Sequence, residues 1–336
     1  MERGLSLGSC DQPLAQAYDA GLYDLDGVLY LAEHPVPHAA EAVAAARAAG
    51  LRPAYVTNNA GRRPAVVAAQ LTSLGIPARE QDVVTSAQAA VREVARHVPA
   101  GAQVLVVGSD GLAEEVGAGG FVPVRKAGPQ VAAVVQGLAR TTAWTDLAEA
   151  AVAIRAGALW VAGNGDTTYP SRRGPLPGNG ALVAALVSAT GRSPTVVGKP
   201  EPALHRESVE RVGARRPLVI GDRLDTDVLG AVRGGSDSLL VLTGVVDRAA
   251  LLAAPRGSRP TYVGADLRAL LGPQPEVFLH DGTATCGDAV ASYRQGDLVV
   301  DGEGTPALRV ACALAWAHAD GNDGGGTGDP RAPAKS

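Results

Sequence analysis

Short apolar runs alternate with helix-length stretches along the first ~250 residues of the chain, and this alternation limits the fold more than any other feature. Residues 19–23 read as a buried strand that stops at Asp24-Leu25-Asp26-Gly27, where the glycine breaks the pattern. Val28-Leu29-Tyr30-Leu31 is an apolar flap, a helix over 37–49 is closed by Gly50, and 51–56 is a second strand ending in Thr57-Asn58-Asn59. A helix over 62–74, stopped by Gly75, leads to the strand Val83-Val84-Thr85. Strands and helices joined by such brief loops build a parallel, doubly wound sheet, so the expected fold class is α/β.

From residue 86 the pattern restarts, with a helix to 97, a strand over 104–107 ending in Gly108-Ser109-Asp110, the stretch 131–138 and a strand over 159–162. These residues predict a second α/β unit. Gly163-Asn164-Gly165-Asp166 and the following run to Gly180 are too rich in Gly, Pro and Asn for regular structure and have the character of a binding loop. A helix over 181–189 leads back to a strand at 195–197 and to Gly198-Lys199-Pro200. The strand 218–220 ends in Gly221-Asp222, with Asp225 and Asp227 before the next helix, and 239–242 is expected to close the sheet. Residues 260–320 form a smaller unit, with a strand at 297–300 and a helix from 306, and 321–336 are poor enough in apolar residues to be expected disordered.

Length and charge limit the partners. A chain of 336 residues allows two domains, or one carrying an insertion. A formal net charge of −4, from 30 basic and 34 acidic residues, gives no general attraction to nucleic acid or to an anionic membrane, so a small molecule is the expected partner. Cys10, Cys286 and Cys312 are odd in number and scattered, which fits a reducing compartment rather than a disulfide framework or a Cys-rich zinc site. Residues 1–20 carry Arg3, Asp11 and Asp19 and no apolar run of the signal-peptide type, so a cytoplasmic protein is expected.

Four strand ends offer polar groups: Asp24 with Asp26, Thr57 with Asn58, Lys199, and Asp222 with Asp227. In one doubly wound sheet all four would share a rim. Two strand residues two apart project to the same side, roughly 7 Å from each other, and carboxylates that close require a cation, a shared proton or full solvation. Three carboxylates suit a hard cation such as Mg²⁺. Thr57, the backbone N–H of Asn58 and the Lys199 ammonium can hold anionic oxygens opposite it. Each piece alone has a plain structural reading: an Asx turn at Asp24, a helix cap at Thr57-Asn58-Asn59, a solvated turn at Lys199, first-turn acids at Asp225 and Asp227. Their shared position and chain order argue for a phosphate site.

Asp24-Leu-Asp-Gly-Val28, Thr57-Asn-Asn59, Gly198-Lys-Pro200 and Gly221-Asp-Arg-Leu-Asp-Thr-Asp227 resemble the four ordered motifs of haloacid dehalogenase-like phosphatases, in the branch with a large α/β cap between the second and third motifs. The resemblance implies a discontinuous core over 15–85 and 191–259, an inserted cap over 86–190 and an extension over 260–320. It makes Asp24 the nucleophile of an aspartyl-phosphate route and Asp26 the general acid and then base, with the Asp26 backbone carbonyl on Mg²⁺. Asp222 would join Asp24 as metal ligand, Asp227 would orient the site from behind, and Thr57, Asn58, Asn59 and Lys199 would hold phosphoryl oxygens. Gly163-Asn-Gly-Asp166 stands where the family often has Thr-Asn-x-Asp, which makes Asn164 and Asp166 the cap-side candidates for substrate contact, with helix capping as their alternative.

Composition, cap and extra unit further resemble actinobacterial members described as glycerol 3-phosphate phosphatases, whose tail is similar to a cut-down acetyltransferase fold. No Arg-x-x-Gly-x-Gly/Ala occurs after Pro260, so acetyl transfer is not expected and the unit reads as structural or dimerising, compatible with a homodimer. The activity implied is Mg²⁺-dependent hydrolysis of a small phosphate ester, glycerol 3-phosphate first. Phosphoglycolate, pyridoxal phosphate and nucleotides are alternatives, and a non-catalytic phosphate-ester binder is the alternative of another class. A dinucleotide fold lacks its Gly-x-Gly-x-x-Gly, and a P-loop lacks the glycine that would stand at Ser193.

Overall fold

The structure, a computed structural model, describes residues 7–321 apart from positions 170 and 172; all but the first residue of the expected disordered tail lies outside them. Six parallel strands form the larger sheet, in the spatial order Tyr262–Gly264, Asp237–Val241, Pro217–Gly221, Ala20–Tyr23, Arg52–Thr57, Val83–Thr85. Alternate residues of these strands enter different apolar clusters. Tyr23, Tyr55, Leu218, Ile220 and Leu239 pack on one face, and Leu22, Ala54, Val56, Val84 and Val219 on the other. That division is what a sheet covered by helices on both sides requires.

From Ala20–Tyr23 the chain proceeds outward to Val83–Thr85, then returns after the inserted segment on the opposite side, at Pro217–Gly221. Strand order therefore reverses between Ala20–Tyr23 and Pro217–Gly221, which pair Tyr23 with Ile220. The crevice beyond the carboxyl ends of such a pair is where open α/β sheets bind ligands. The expected flap is a hairpin of Tyr30–Leu31 with His34–Pro35 beside that crevice.

Five parallel strands make the second sheet, in the order Thr195–Val196, Leu159–Ala162, Val131–Gln136, Gln103–Val107, Val122–Val124. Its first helix, Ser86–Ala95, starts on a capping box in which the Thr85 hydroxyl accepts from Gln88 N–H at 3.3 Å and the Gln88 side chain accepts from Thr85 N–H at 3.1 Å. Ala87, Ala90, Val91 and Val94 of this helix lie in one apolar cluster with Val56 and Val219 of the first sheet and Val106, Val135 and Val161 of the second.

Two expectations need correction. The strand at 195–197 pairs with Leu159–Ala162 and belongs to the second sheet, so Lys199 reaches the rim from there and not from a strand of the first. Nor does 239–242 close the larger sheet, because Tyr262–Gly264 pairs beyond it. The unit from Phe278 onward is a four-stranded antiparallel sheet, Phe278–His280, Thr283–Cys286, Ala289–Arg294 and Asp297–Asp301, covered by the helix Gly304–Ala319. Arg309 of that helix is fully buried and donates to Gln274 Oε1 at 3.1 Å, Pro275 O at 2.9 Å and Gly8 O at 2.6 Å, tying the unit to the amino-terminal segment. Among the described residues no helix is long and apolar enough to cross a membrane.

Candidate active site

The first strand ends at Tyr23, so Asp24 and Asp26 stand in the turn beyond it, and strand periodicity does not govern where they point. Asp24 is tied to the reversal point by its own N–H, which donates to Ile220 O at 2.8 Å. Its side chain, 15 % exposed, pairs with the Lys199 ammonium. That ammonium also donates to Asp227 Oδ1 at 2.8 Å and to Val56 O at 3.4 Å. Asp227 Oδ2 accepts from Arg223 N–H at 3.2 Å, so both oxygens of this buried carboxylate are engaged.

Asp222 differs. Its carboxylate is fully buried, Oδ2 accepts from Val245 N–H at 2.6 Å, and Oδ1 has no hydrogen-bond partner among the described residues. Carboxylate oxygens of Asp24, Asp222 and Asp227 all lie within 4.8 Å of one another. Burial, with Asp227 and Asp222 adding to it, pushes the Asp24 carboxyl up to about 8 although Lys199 pulls it down. Burial and then Asp227 push Asp222 up to about 6. Lys199 is driven the other way: burial opposes its charge, but Asp227 and Asp24 outweigh it and hold the ammonium above its ordinary range.

With all groups ionised, three carboxylates against one ammonium leave a formal charge of −2 in a largely buried cluster. A divalent cation on oxygen donors balances that charge and gives Asp222 Oδ1 its missing partner, so these residues fit Mg²⁺ or Ca²⁺.

The backbone permits this closeness at two glycines. Gly27 has φ +85°, and a Cβ there would run into the Asp222 carboxylate. A Cβ at Gly244 would strike the same carboxylate and would crowd Gly27 Cα at 2.8 Å. Thr243 Oγ1 donates to Gly27 O at 2.6 Å, and Val246 N–H donates to Asp222 O at 3.2 Å, so the loop after Asp237–Val241 forms the wall behind Asp222.

Asn58 is the junction between the sheets. Its side chain accepts from Lys199 N–H at 2.7 Å and donates to Lys199 O at 3.0 Å and to Asp166 Oδ2 at 3.3 Å. Its carbonyl accepts from Ser86 Oγ at 2.6 Å and Asn164 Nδ2 at 2.7 Å. Thr57 Oγ1 accepts from Asn59 N–H at 3.1 Å, and exposed Asn59 turns its own side chain to Gly61 N–H at 2.8 Å. Asn164 Oδ1 accepts from Asp166 N–H at 3.2 Å. Asp24, Asn58, Asp166, Lys199, Asp222 and Asp227 thus meet at one crevice with Asn164 behind Asn58, whereas the Asn59 side chain turns away to Gly61. The Asn58 and Asn164 amides, however, are spent on holding it together.

The motif Gly-Asp-x-x-x-x-Asp, its strand and the first Asp turn fall within two matches to family models, described as haloacid dehalogenase-like hydrolase over residues 21–122 and as HAD-hydrolase-like over 196–270. The chain belongs to the haloacid dehalogenase-like hydrolases. Within them it is 46 % identical over 315 residues to the D-glycerol 3-phosphate phosphatase of Mycobacterium tuberculosis, covering 90 % of this chain and 87 % of that one. Crystal structures of the glycerol phosphate phosphatase from that organism superpose with TM-scores of 0.82 in complex with calcium and 0.81 in complex with magnesium, the latter at 45 % identity over 94 % of this chain and 93 % of that one. A p-nitrophenyl phosphatase from Archaeoglobus fulgidus superposes at 0.71 with 31 % identity, over 76 % of this chain and 98 % of its own.

Sequence reasoning misses two parts of this hydrolase's crevice. One is the loop 243–246 behind Asp222; Gly244, just past a strand end, is its only signal. The other is Arg62, whose guanidinium donates to the Tyr30 hydroxyl and draws down the Asp26 carboxyl. Asp26 is open to solvent, yet the surrounding protein still raises its carboxyl above the usual range against the pull of Arg62 and Lys199.

Proposed function

We propose that the chain hydrolyses a small phosphate monoester with Mg²⁺, and that glycerol 3-phosphate is its first substrate. The observation that carries this reading is the pairing of Asp24 with Lys199 beside a fully buried Asp222 that has a free oxygen. A carboxylate held at the switch point is placed to attack, and the relatives at 46 % and 45 % identity are named for glycerol phosphate. Asp24 Oδ forms the bond to phosphorus as the bond to the leaving alcohol breaks, and Asp26 gives that alcohol its proton. Asp26 then takes a proton from the water that attacks the aspartyl-phosphate, which releases phosphate and restores Asp24.

The Lys199 ammonium, the Asn58 backbone N–H, the Thr57 hydroxyl and the Asn59 loop hold phosphoryl oxygens, where positioning and charge supply most of the catalysis. Asp24, Asp222 and the Asp26 carbonyl would hold Mg²⁺, whose charge lets an anionic nucleophile approach an anionic ester. Asp227, with both oxygens already engaged, orients Lys199. We assign residues 15–85 and 191–264 to the core, extended past 259 because Tyr262–Gly264 is its outer strand and with Thr195–Val196 lent to the cap sheet, and 86–190 to a cap. Of the two cap candidates Asp166 is better placed than Asn164 for substrate contact, because it faces Asn58 and Arg223 across the seam while the Asn164 amide serves as a strut.

Phosphate release from glycerol 3-phosphate in Mg²⁺ tests the whole reading. If only phosphoglycolate, pyridoxal phosphate or a nucleotide is cleaved, the mechanism stands and the substrate changes. If no ester is cleaved while esters still raise the Tm, the protein is a binder.

Asp26→Ala should cost roughly 10²–10⁴-fold for alkyl phosphates, the range of acid–base catalysis, and clearly less for 4-nitrophenyl phosphate, whose phenolate leaves without a proton. Equal losses for the two would remove the acid role.

Metal dependence has a sign that can be worked out. Asp24 and Asp222 bind protons more tightly folded than unfolded, so metal-free stability should fall as pH rises from the unfolded carboxyl range toward about 8. Mg²⁺ needs the ionised carboxylates, so it should raise the Tm most at the alkaline end, and Asp222→Asn should blunt that rise. A Tm that climbs with pH in chelator, or an equal Mg²⁺ effect in the variant, would contradict the site.

For the extension we propose a structural and dimerising role in a cytoplasmic enzyme, supported by exposed Phe278 and Leu279 on an edge strand of its sheet. Light scattering should give twice the chain mass for the native protein and half that for Phe278→Ser/Leu279→Ser; a native monomer would refute it.

A further inference from the structure

Arg62 belongs to none of the four motifs, yet its charge acts on Asp26. It sits in the loop between Asn59 and the helix Pro64–Ser73, and that loop is pinned from both sides. Gly61 N–H donates to Asn59 Oδ1 at 2.8 Å on the core side, and Gly61 O accepts from Ser109 Oγ at 2.8 Å on the cap side. The next residue, Arg63, is taken up by Glu114 of the cap at 2.8 Å. Arg62 makes no ion pair within 4.0 Å among the described residues. It is half-buried at the seam, donates one N–H to the hydroxyl of Tyr30, and stands close enough to Asp26 to draw down its carboxyl. Tyr30 is 3 % exposed and fixed by its hairpin, and its carbonyl accepts from Gly27 N–H at 2.8 Å, so the contact holds the guanidinium in place.

We propose that Arg62 reads the second carbon from the ester oxygen and selects phosphate esters whose leaving alcohol carries a hydroxyl or another acceptor there. The inference rests on the assignment of Asp26 as the acid that protonates that oxygen. A group beside Asp26 in the crevice then faces the first atoms of the leaving alcohol beyond that oxygen. Arginine has five N–H donors and no acceptor. With one donor spent on Tyr30, the rest complement only an acceptor, and a half-buried donor left unmatched by an unsubstituted alkyl chain loses binding energy. Glycerol 3-phosphate places its C2 hydroxyl at that carbon, and phosphoglycolate places a carboxylate there. If the guanidinium merely balanced the Asp26 charge, its loss would slow every alkyl ester alike.

The test compares kcat/KM for glycerol 3-phosphate and propyl phosphate, which share a three-carbon chain and differ in the hydroxyls. The native enzyme should prefer glycerol 3-phosphate at least tenfold. Arg62→Gln should erase most of that preference, chiefly through KM, and Arg62→Lys should keep part of it. Tyr30→Phe, which leaves the guanidinium but frees it, should lower the preference less than Arg62→Gln. A native ratio near one, or a ratio unchanged in Arg62→Gln, overturns the inference while leaving the phosphatase reading intact. No phosphate released from glycerol 3-phosphate by the native enzyme overturns the substrate reading and this selectivity with it.

Discussion

Asp24→Asn is expected to abolish phosphate release, by roughly 10⁴-fold or more, while the protein remains folded. The substitution keeps the shape of the side chain and removes only its charge and nucleophilic oxygen. Folding should survive because Asp24 is a liability to the metal-free protein near pH 8. Burial and the neighbouring Asp227 and Asp222 raise its carboxyl to about 8, so ionising it there costs stability even with Lys199 alongside. The neutral amide removes that repulsion, and Lys199 retains Asp227 at 2.8 Å. Metal-free Tm at pH 8 should therefore equal or exceed that of the native chain, while phosphate release from every ester falls together. Loss confined to alkyl esters would point to a leaving-group role for Asp24, and activity above about one per cent would exclude it as the nucleophile.

The rim of the larger sheet is legible because each strand announces its end in the local sequence. Asp24 precedes Gly27, Asn58 follows Thr57, and Gly221 precedes Asp222, always after a short apolar run. What stays hidden depends on pairings made at a distance. Two residues, Thr195 and Val196, decide which sheet delivers Lys199, and nothing in them distinguishes Val161 as a partner from a strand of the other sheet. Tyr262–Gly264 is equally short, and it becomes a strand through Asp237–Val241 beside it. Arg62 becomes part of the site only because a hairpin folds Tyr30 back to meet it.

The extension is a different case, because the signal is present. Asp281-Gly282, Gly287-Asp288 and Gln295-Gly296 each separate two strands by two residues, and Asp281, Gly282, Gly287, Gln295 and Gly296 take positive φ. Such dipeptides mark tight hairpins. The strands between them are built partly of small residues, Thr283-Ala-Thr-Cys286 above all, so their apolar alternation is faint and only 297–300 stands out. In the site, chemistry and support divide similarly. Residue types indicate carboxylates and an ammonium on one rim, but only the folded chain shows that the Asn58 amide is a tie to Lys199 and Asp166.

Lys199→Met should damage activity and stability together, and stability more than any other single change at the site. The methionine fills about the same space, so the variant isolates the charge. Electrostatically, the loss removes a donor aimed at the phosphoryl group, a change that typically costs ~10²–10³-fold in turnover. Structurally, it leaves Asp24, 15 % exposed, and Asp227, 2 % exposed, without the ammonium that both contact. Breaking a buried ion pair from one side costs about 3–5 kcal/mol, since a charge remains uncompensated. The pH dependence separates this cost from lost packing. Near pH 5 the raised carboxyls of Asp24 and Asp222 can take up protons and relieve the repulsion, so the metal-free Tm deficit should be small. Near pH 8 the unfolded chain is fully ionised and the folded one must either keep those protons or bear the repulsion, so the deficit should grow. Mg²⁺ should recover part of the Tm by supplying charge to the same oxygens and little of the activity, because the phosphoryl group still lacks its ammonium. A deficit independent of pH would mean that Lys199 acts through its hydrocarbon stem, and recovery of turnover by Mg²⁺ alone would remove it from catalysis.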